Sequence, residues 1–283
     1  MLSLFDTYVA SILNYGCEVW GIHSAKDVEK VHLEYIKSVL GVRKNTNNAM
    51  VYIETGRLPM NIVRWCRIFK FWLKILQSEN CILKACYKTL RDEADQDRNH
   101  VINWAIHVKN KLFDIGLGHI WCNQEYNSLY FNIIKQRMTD IFVQNIVEQI
   151  QSSSRCRIYM YIYDYFSMQF YLMKAIPHVY KKQISRIRMS SHNLAIESGR
   201  HQNVARIHRN CKLCNLDIED EFHFILKCPY FNELRSKYIK GYYWKKPSVF
   251  KLIQLLSTKN FKELCNLGKY LYRAFNLRNT LLT

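Results

Sequence analysis

The sequence predicts an all-α fold, and three observations carry that prediction. Gly and Pro are scarce, at 9 and 4 in 283 residues, too few for a many-turned β sandwich. Apolar residues recur at helical spacing along most of the chain. Hydrophobic residues reach 49%, enough to give those helices a common core. The architecture expected is a helical bundle, then a helical connector, then a small module built on structural zinc. The length suits one large domain or two small ones.

Residues 2–16 read as a first helix closed by Gly16. Ser24 is a suitable N-cap for the next, with Asp27 in its first turn. Val28, Val31, Tyr35 and Val39 then recur at helical spacing, with Ile36 and Leu40 beside them, up to Gly41. A short helix over 49–55 closes at Gly56, and Pro59 opens a longer one over 61–77. Trp65, Ile68, Phe69, Trp72 and Ile75 lie on one side of it, interleaved with Arg64, Arg67, Lys70 and Lys74. This stripe reads as a core face with a solvated basic edge rather than as a nucleic-acid face. Residues 91–98 are the most polar stretch, a linker or helix junction, and helical patterns resume over 101–114 and 129–150.

Tyr159, Tyr161, Tyr163 and Tyr165 alternate as in a strand, but the run continues to Met173 without turn residues, which fits a helix better. A tyrosine ladder can stack unpaired bases; packing is the commoner use. Pro177 ends this segment, residues 178–199 form a basic stretch, and Pro229 begins a helix over 230–239. The tail from 247 is amphipathic and basic.

Four soft ligands fall within eighteen residues, in the pattern Cys211-x2-Cys214-x8-His223-x4-Cys228. Thiolates and imidazole in a tetrahedral shell are how zinc is held, commonly with two ligands on a Cys-x-x-Cys turn and two from a later segment. A closed set of four leaves no open position for water or substrate, so the pattern indicates structural zinc. The bland alternative is a thiol pair with an unrelated His and Cys nearby. The other seven cysteines, Cys17, Cys66, Cys81, Cys86, Cys122, Cys156 and Cys265, show no disulfide spacing, which suggests a reducing intracellular setting. The N-terminus has neither the charged lead nor the cleavage site of a signal peptide, and no run has the length of a membrane span.

The net charge of +18 is unevenly placed. Residues 155–283 hold 23 Lys and Arg against 8 Asp and Glu, whereas residues 1–154 hold 18 against 15. A basic half that also carries a zinc pattern is the footprint of a polyanion binder; the alternative is a solvated basic surface with no partner. The phosphate-contact candidates are Arg186, Arg188, Arg200, Arg206, Arg209, Lys212 and Lys227. Arg206 and Arg209 lie just before the first metal ligand, where a rigid turn would present them.

Several stretches together resemble the carboxy-terminal part of the reverse-transcriptase reading frame of non-LTR (LINE-type) retrotransposons. Leu4-Phe-Asp-Thr-Tyr-Val-Ala-Ser-Ile-Leu-Asn-Tyr-Gly-Cys-Glu-Val-Trp-Gly21 is similar to the segment following the polymerase palm. Val31-His-Leu-Glu-Tyr-Ile-Lys-Ser-Val-Leu-Gly-Val42 and Tyr52-Ile-Glu-Thr-Gly-Arg-Leu-Pro59 are similar to the helical thumb. Arg188-Met-Ser-Ser-His-Asn-Leu-Ala-Ile-Glu-Ser-Gly-Arg200, the Cys-x2-Cys turn and Glu219-Asp-Glu-Phe-His-Phe224 resemble the terminal zinc-knuckle region. The resemblance implies a thumb-like domain over 1–80, a connector over 81–154 and a basic region over 155–283 with its zinc module at about 205–240. It further implies RNA or DNA as partner, the rest of a reverse transcriptase as a second one, and a nuclear location.

Polymerisation needs carboxylates that hold two metal ions, and the family places two of them in an Asp-Asp doublet. No Asp-Asp dipeptide occurs here, so this chain alone is not expected to be a polymerase. The acidic run Asp217-Ile-Glu-Asp-Glu221 sits in the zinc loop, where capping and steadying the loop are the expected uses. Ser190-Ser-His192 has no supporting oxyanion signature, no Gly-rich phosphate loop occurs, and nothing near Cys17 or Cys66 argues for a lowered thiol pKa. The expected function is non-catalytic nucleic-acid binding. A zinc-stabilised protein-interaction scaffold and a functionless remnant of the element are the alternatives.

Overall fold

A computed structural model describes residues 2–96 and 103–282, and their architecture is all-helical. Among the described residues no strand forms; the extended pairings are two isolated bridges, Thr55 with Met168 and Asn210 with Ile218. No helix is long and apolar enough to cross a membrane among the residues described.

The chain divides into two compact units. The first comprises Met1–Leu33 and Leu58–Ile146, the second Glu34–Arg57 and Val147–Thr283. This partition does not follow the sequence boundaries at 80 and 154. Residues 34–57 join the later part of the chain because their buried face finds its partners there, as Glu54 does with Arg188.

The first unit is organised on the helix Met60–Gln77, which Pro59 opens with a fixed φ of −63°. Trp65, Ile68, Phe69, Trp72 and Ile75 are all buried, so the aromatic stripe is a core face. The indole N–H of Trp72 donates to Tyr87 Oη at 2.8 Å, and its ring stacks on Trp121 at 5.9 Å. Lys70 and Lys74 are exposed, but Arg64 is not at the solvated edge: it is 1% exposed, with Glu29 and Cys17 as its electrostatic neighbours. Asn80 and Asn103 cap the helices Cys81–Asp95 and Trp104–Asp114 by accepting backbone N–H bonds. Of the polar stretch, residues 91–95 end the first of these helices, whereas 97 and 98, like 101 and 102 of the next expected helix, lie outside the described residues. The first expected helix is present as short helical pieces over 2–13 ahead of Gly16. The helix Lys26–Leu40 takes its first bond from Glu29 N–H to Ala25 O, so Ser24 stands one residue outside and does not cap it.

In the second unit the stops at Gly41 and Gly56 follow one pattern. Each glycine has positive φ, 67° and 61°, and the amide that follows it folds back on the last turn, Val42 N–H onto Lys37 O and Arg57 N–H onto Tyr52 O. A Cβ at Gly56 would stand 2.5 Å from Met168 N.

The tyrosine run is neither a strand nor the expected helix. Residues 154–156 and 159–161 form 3-10 turns, and the chain stays irregular until the single turn Phe170–Met173. The reason is a buried polar knot. Arg188 donates from Nε to Glu54 Oε1 at 2.6 Å and from its Nη atoms to Leu256 O, Ile162 O and Gln169 Oε1. Tyr159 donates its hydroxyl to Glu54 Oε2 at 2.7 Å, and Tyr171 shares a 2.7 Å bond with Ser185. A continuous helix would break this set, and satisfying a buried ion pair outweighs local propensity. Burial and the Glu54 carboxylate hold both phenols well above their ordinary pKa.

Candidate metal centre and the basic cleft beside it

The metal-ligand loop is built by short backbone bonds. Cys211 N–H donates to Asp217 O, Asn215 N–H returns to Cys211 O with Asn215 at φ 55°, and Glu219 N–H reaches Arg209 O. This tight loop presents Cys211 and Cys214 on one side. Asp220 then accepts the backbone N–H of His223 at 2.8 Å and opens the helical turn His223–Lys227, which presents His223 and, one residue past its end, Cys228.

The four ligand atoms lie within 4.8 Å of one another. Cys211 Sγ is 4.0 Å from Cys228 Sγ, and Cys214 Sγ is 3.2 Å from His223 Nε2. Zinc–sulfur bonds of about 2.3 Å in a tetrahedron put two sulfurs about 3.8 Å apart, so the spacing fits one ion in a shell of three thiolates and an imidazole. Cys211, His223 and Cys228 are buried and Cys214 is half-buried. The Cys211 thiol is pulled well down, chiefly by its contact with Cys228, then by His223 and the amides of Cys214 and Leu213. Cys228 is pushed up by that same contact with Cys211.

The surrounding side chains fix the loop. Arg235 donates to Ile225 O and Cys228 O, and Tyr270 donates to Phe224 O. The Phe224 ring packs on Phe231 and Phe275 at 4.8 and 4.7 Å. The acidic run is fully engaged in the same work. Asp217 pairs with Lys227, Glu219 with Arg278, and Glu221 with His192 and Ser190. Capping and steadying is what these carboxylates do.

The chain was compared with protein-family models, curated proteins and solved structures, and it matches none of them.

The seven basic candidates have different fates. Arg188 is a correction: it is 4% exposed and held on Glu54, so it contacts no polyanion. Arg186 donates to Gly41 O and lines a separate cavity of about 300 Å³. Lys212 is exposed on the Cys-x-x-Cys turn, and Lys227 is held by Asp217 with its ammonium over the Phe222 ring. Arg200, Arg206 and Arg209 come together in a cleft of about 880 Å³ whose wall includes Asp220, Glu221 and Phe222 of the metal loop.

Arg155 and Arg157 line the same cleft. Neither is among the basic candidates read from the sequence, because both open the aromatic tyrosine run; their position at the charge boundary is the signal that marks them. Cys17 and Cys66 both have thiols pushed up by burial, which leaves them poor nucleophiles.

Proposed function

We propose that this chain binds nucleic acid without catalysing a reaction on it, through a basic surface organised by a structural zinc ion. The observation that carries the reading is the juxtaposition of a closed Cys3His ligand set with a cleft lined by five arginines in the half of the chain that holds most of the excess charge. Zinc supplies a cross-link between the 211–214 turn and the 223–228 turn. Exposed Arg206 then offers a guanidinium group that pairs with phosphate oxygens in two-pronged fashion, and Arg200 and Arg209, held by Glu197 and by the Val204 and Ile196 carbonyls, add positive charge beside it. Lys212 adds a flexible charge at the edge of the loop. The same features fit the resemblance to the zinc-knuckle end of a non-LTR retrotransposon reverse transcriptase, which places RNA or target DNA, and the rest of that enzyme, as partners.

The test is binding to labelled RNA and DNA across a salt series, comparing the zinc-loaded chain with Cys211→Ser/Cys214→Ser. Each phosphate contact steepens the log–log salt slope by about 0.7–0.9. A slope of several units that flattens in the double variant supports the reading. Absence of binding by the folded chain overturns it.

One observation favours a second reading. Tyr8, Ile12, Tyr15 and Val19, spread over the short helices and the turn between them, are 65–85% exposed in the first unit. Exposed apolar side chains of this kind suit a protein contact, and a saturable, salt-insensitive protein partner would favour the scaffold.

A further inference from the structure

The cleft beside the metal loop has two unlike walls. Arg155, Arg157, Arg200, Arg206 and Arg209 supply the charged one. Arg157 and Arg206 are exposed, and Arg209 is anchored by bonds from Nε to Val204 O and from Nη1 to Ile196 O. Ile158, Met160, Tyr161 and Phe222 supply an apolar wall in the same cavity. Tyr161 is 64% exposed, so its ring is open to a stacking partner.

The carboxylate at this site is buried and ion-paired with two of the arginines, Arg155 through Oε2 at 3.2 Å and Arg200 through Oε1 at 3.4 Å. Glu197 is 2% exposed and lies 3.2 Å from Arg155 Nε, yet the two are not aligned as a hydrogen bond, and both Glu197 Oε2 and Arg155 Nε lack a hydrogen-bond partner. Buried polar groups are ordinarily paired.

Resting on the nucleic-acid reading, we infer that this cleft takes an unpaired nucleotide. Its phosphate would lie on the arginine wall and its base against Tyr161 and Phe222. The volume of about 880 Å³ lies inside the about 300–1,000 Å³ range of small-ligand sites. A duplex offers only base edges in its grooves, whereas a splayed base can enter a cleft and stack on an aromatic ring or a guanidinium plane. The cleft therefore selects single strands over duplexes. A free nucleoside 5′-monophosphate shares this chemistry with a strand segment.

The experiment measures anisotropy of the full zinc-loaded chain with an unstructured labelled 12-mer and with a blunt duplex of the same length, using a nucleoside 5′-monophosphate as competitor. Wild type is compared with Arg157→Glu/Arg206→Glu, with Tyr161→Ala, and with Lys70→Glu/Lys74→Glu as an equal charge change in the other unit. Circular dichroism confirms that each variant is folded. The expected result is a 12-mer affinity lower by about tenfold or more in the arginine variant. Tyr161→Ala should lose about fivefold or more, with a smaller change in the lysine variant and weaker duplex binding throughout. Competition by the monophosphate shows that the cleft accepts either source; 12-mer binding without competition restricts it to strands. Undiminished 12-mer binding by the arginine variant, or a duplex bound as tightly as the 12-mer, overturns the cleft and leaves the general nucleic-acid reading standing. Binding of the monophosphate alone overturns the polynucleotide reading and keeps the cleft. Binding of neither ligand overturns both.

Discussion

Arg278, near the end of the last helix, lays its guanidinium along the Glu219 carboxylate, Nε to Oε1 at 2.6 Å and Nη2 to Oε2 at 2.7 Å. Both side chains are buried, and Glu219 Oε2 also accepts the Ala195 N–H at 2.7 Å. One carboxylate thus ties the final helix, the start of the Ala195–His201 helix and the metal loop together.

Removing one partner of such a pair leaves the other charged and buried, at a cost of about 3–5 kcal/mol. Arg278→Ala is expected to lower urea-unfolding stability by that amount. Arg278→Ala/Glu219→Gln should lose less than the two single changes added together. Strict additivity in the double-mutant cycle would show that the two residues do not interact.

The metal loop makes a separate prediction. Elemental analysis of the purified chain should find about one zinc per chain, by the closed four-ligand rule, and Cys228→Ser should find far less. Chelation should lower Tm by about 10 °C or more, since each kcal/mol moves a domain of this size by roughly 2–4 °C. Added zinc should restore it. A chain that melts identically with and without chelator would contradict a structural role for the ion.

Much of this was legible in the sequence because it is local. The Cys-x2-Cys turn, the His223 and Cys228 spacing, and the helix stops at Gly41 and Gly56 depend on residues a few positions apart. Arg188 was misread as a surface cation because its partner, Glu54, lies far back in the chain. The tyrosine run was misread for the same reason: Tyr159 answers to Glu54 and Tyr171 to Ser185, and neither pairing leaves a periodic trace. Long-range polar pairing overrode a pattern that, taken alone, fits a helix.

Gly56 offers a sharper test than its neighbours. Its φ of 61° costs a non-glycine residue about 1–2 kcal/mol, and a methyl there meets Met168 N and the Ser167 backbone at 2.5–2.6 Å. Gly56→Ala should therefore destabilise by more than the dihedral penalty alone, read as a lower urea midpoint at unchanged m-value. A loss of only a few tenths of a kcal/mol would mean that the 167–168 segment yields freely.

Alkaline pH should expose the buried phenols. Tyr159, Tyr171 and Tyr270 are fully buried, and desolvation raises each pKa above the ordinary value near 10. A group whose pKa is raised by folding contributes stability that is intact below its unfolded pKa and is lost as pH climbs past it. On a jump to about pH 11.5, exposed tyrosines with ordinary pKa values near 10 should ionise at once. The remaining phenolate absorbance should appear slowly, together with loss of helical circular dichroism. A single fast phase would place these phenols in contact with solvent.

In the first unit, Trp72→Ala removes a fully buried indole, its stack on Trp121 and its bond to Tyr87. Large-to-small changes of this kind cost about 3–5 kcal/mol. Near-ultraviolet circular dichroism and the unfolding midpoint should both report the loss.

The interleaving of the two units in the chain, with 34–57 belonging to one and 58–146 to the other, bears on how the protein acquires its structure. The second unit is assembled from pieces that flank residues 58–146 of the first, so Glu54 meets Arg188 only after that intervening segment has been looped out. Closing a loop costs entropy that grows slowly with its length, and early folding of that segment into a compact body shortens the effective loop. The first unit thus acts as a covalent splint. No single cut in the backbone yields two self-sufficient halves, and a fragment starting at residue 155 would carry all four candidate metal ligands yet leave Arg188 without its counter-ion.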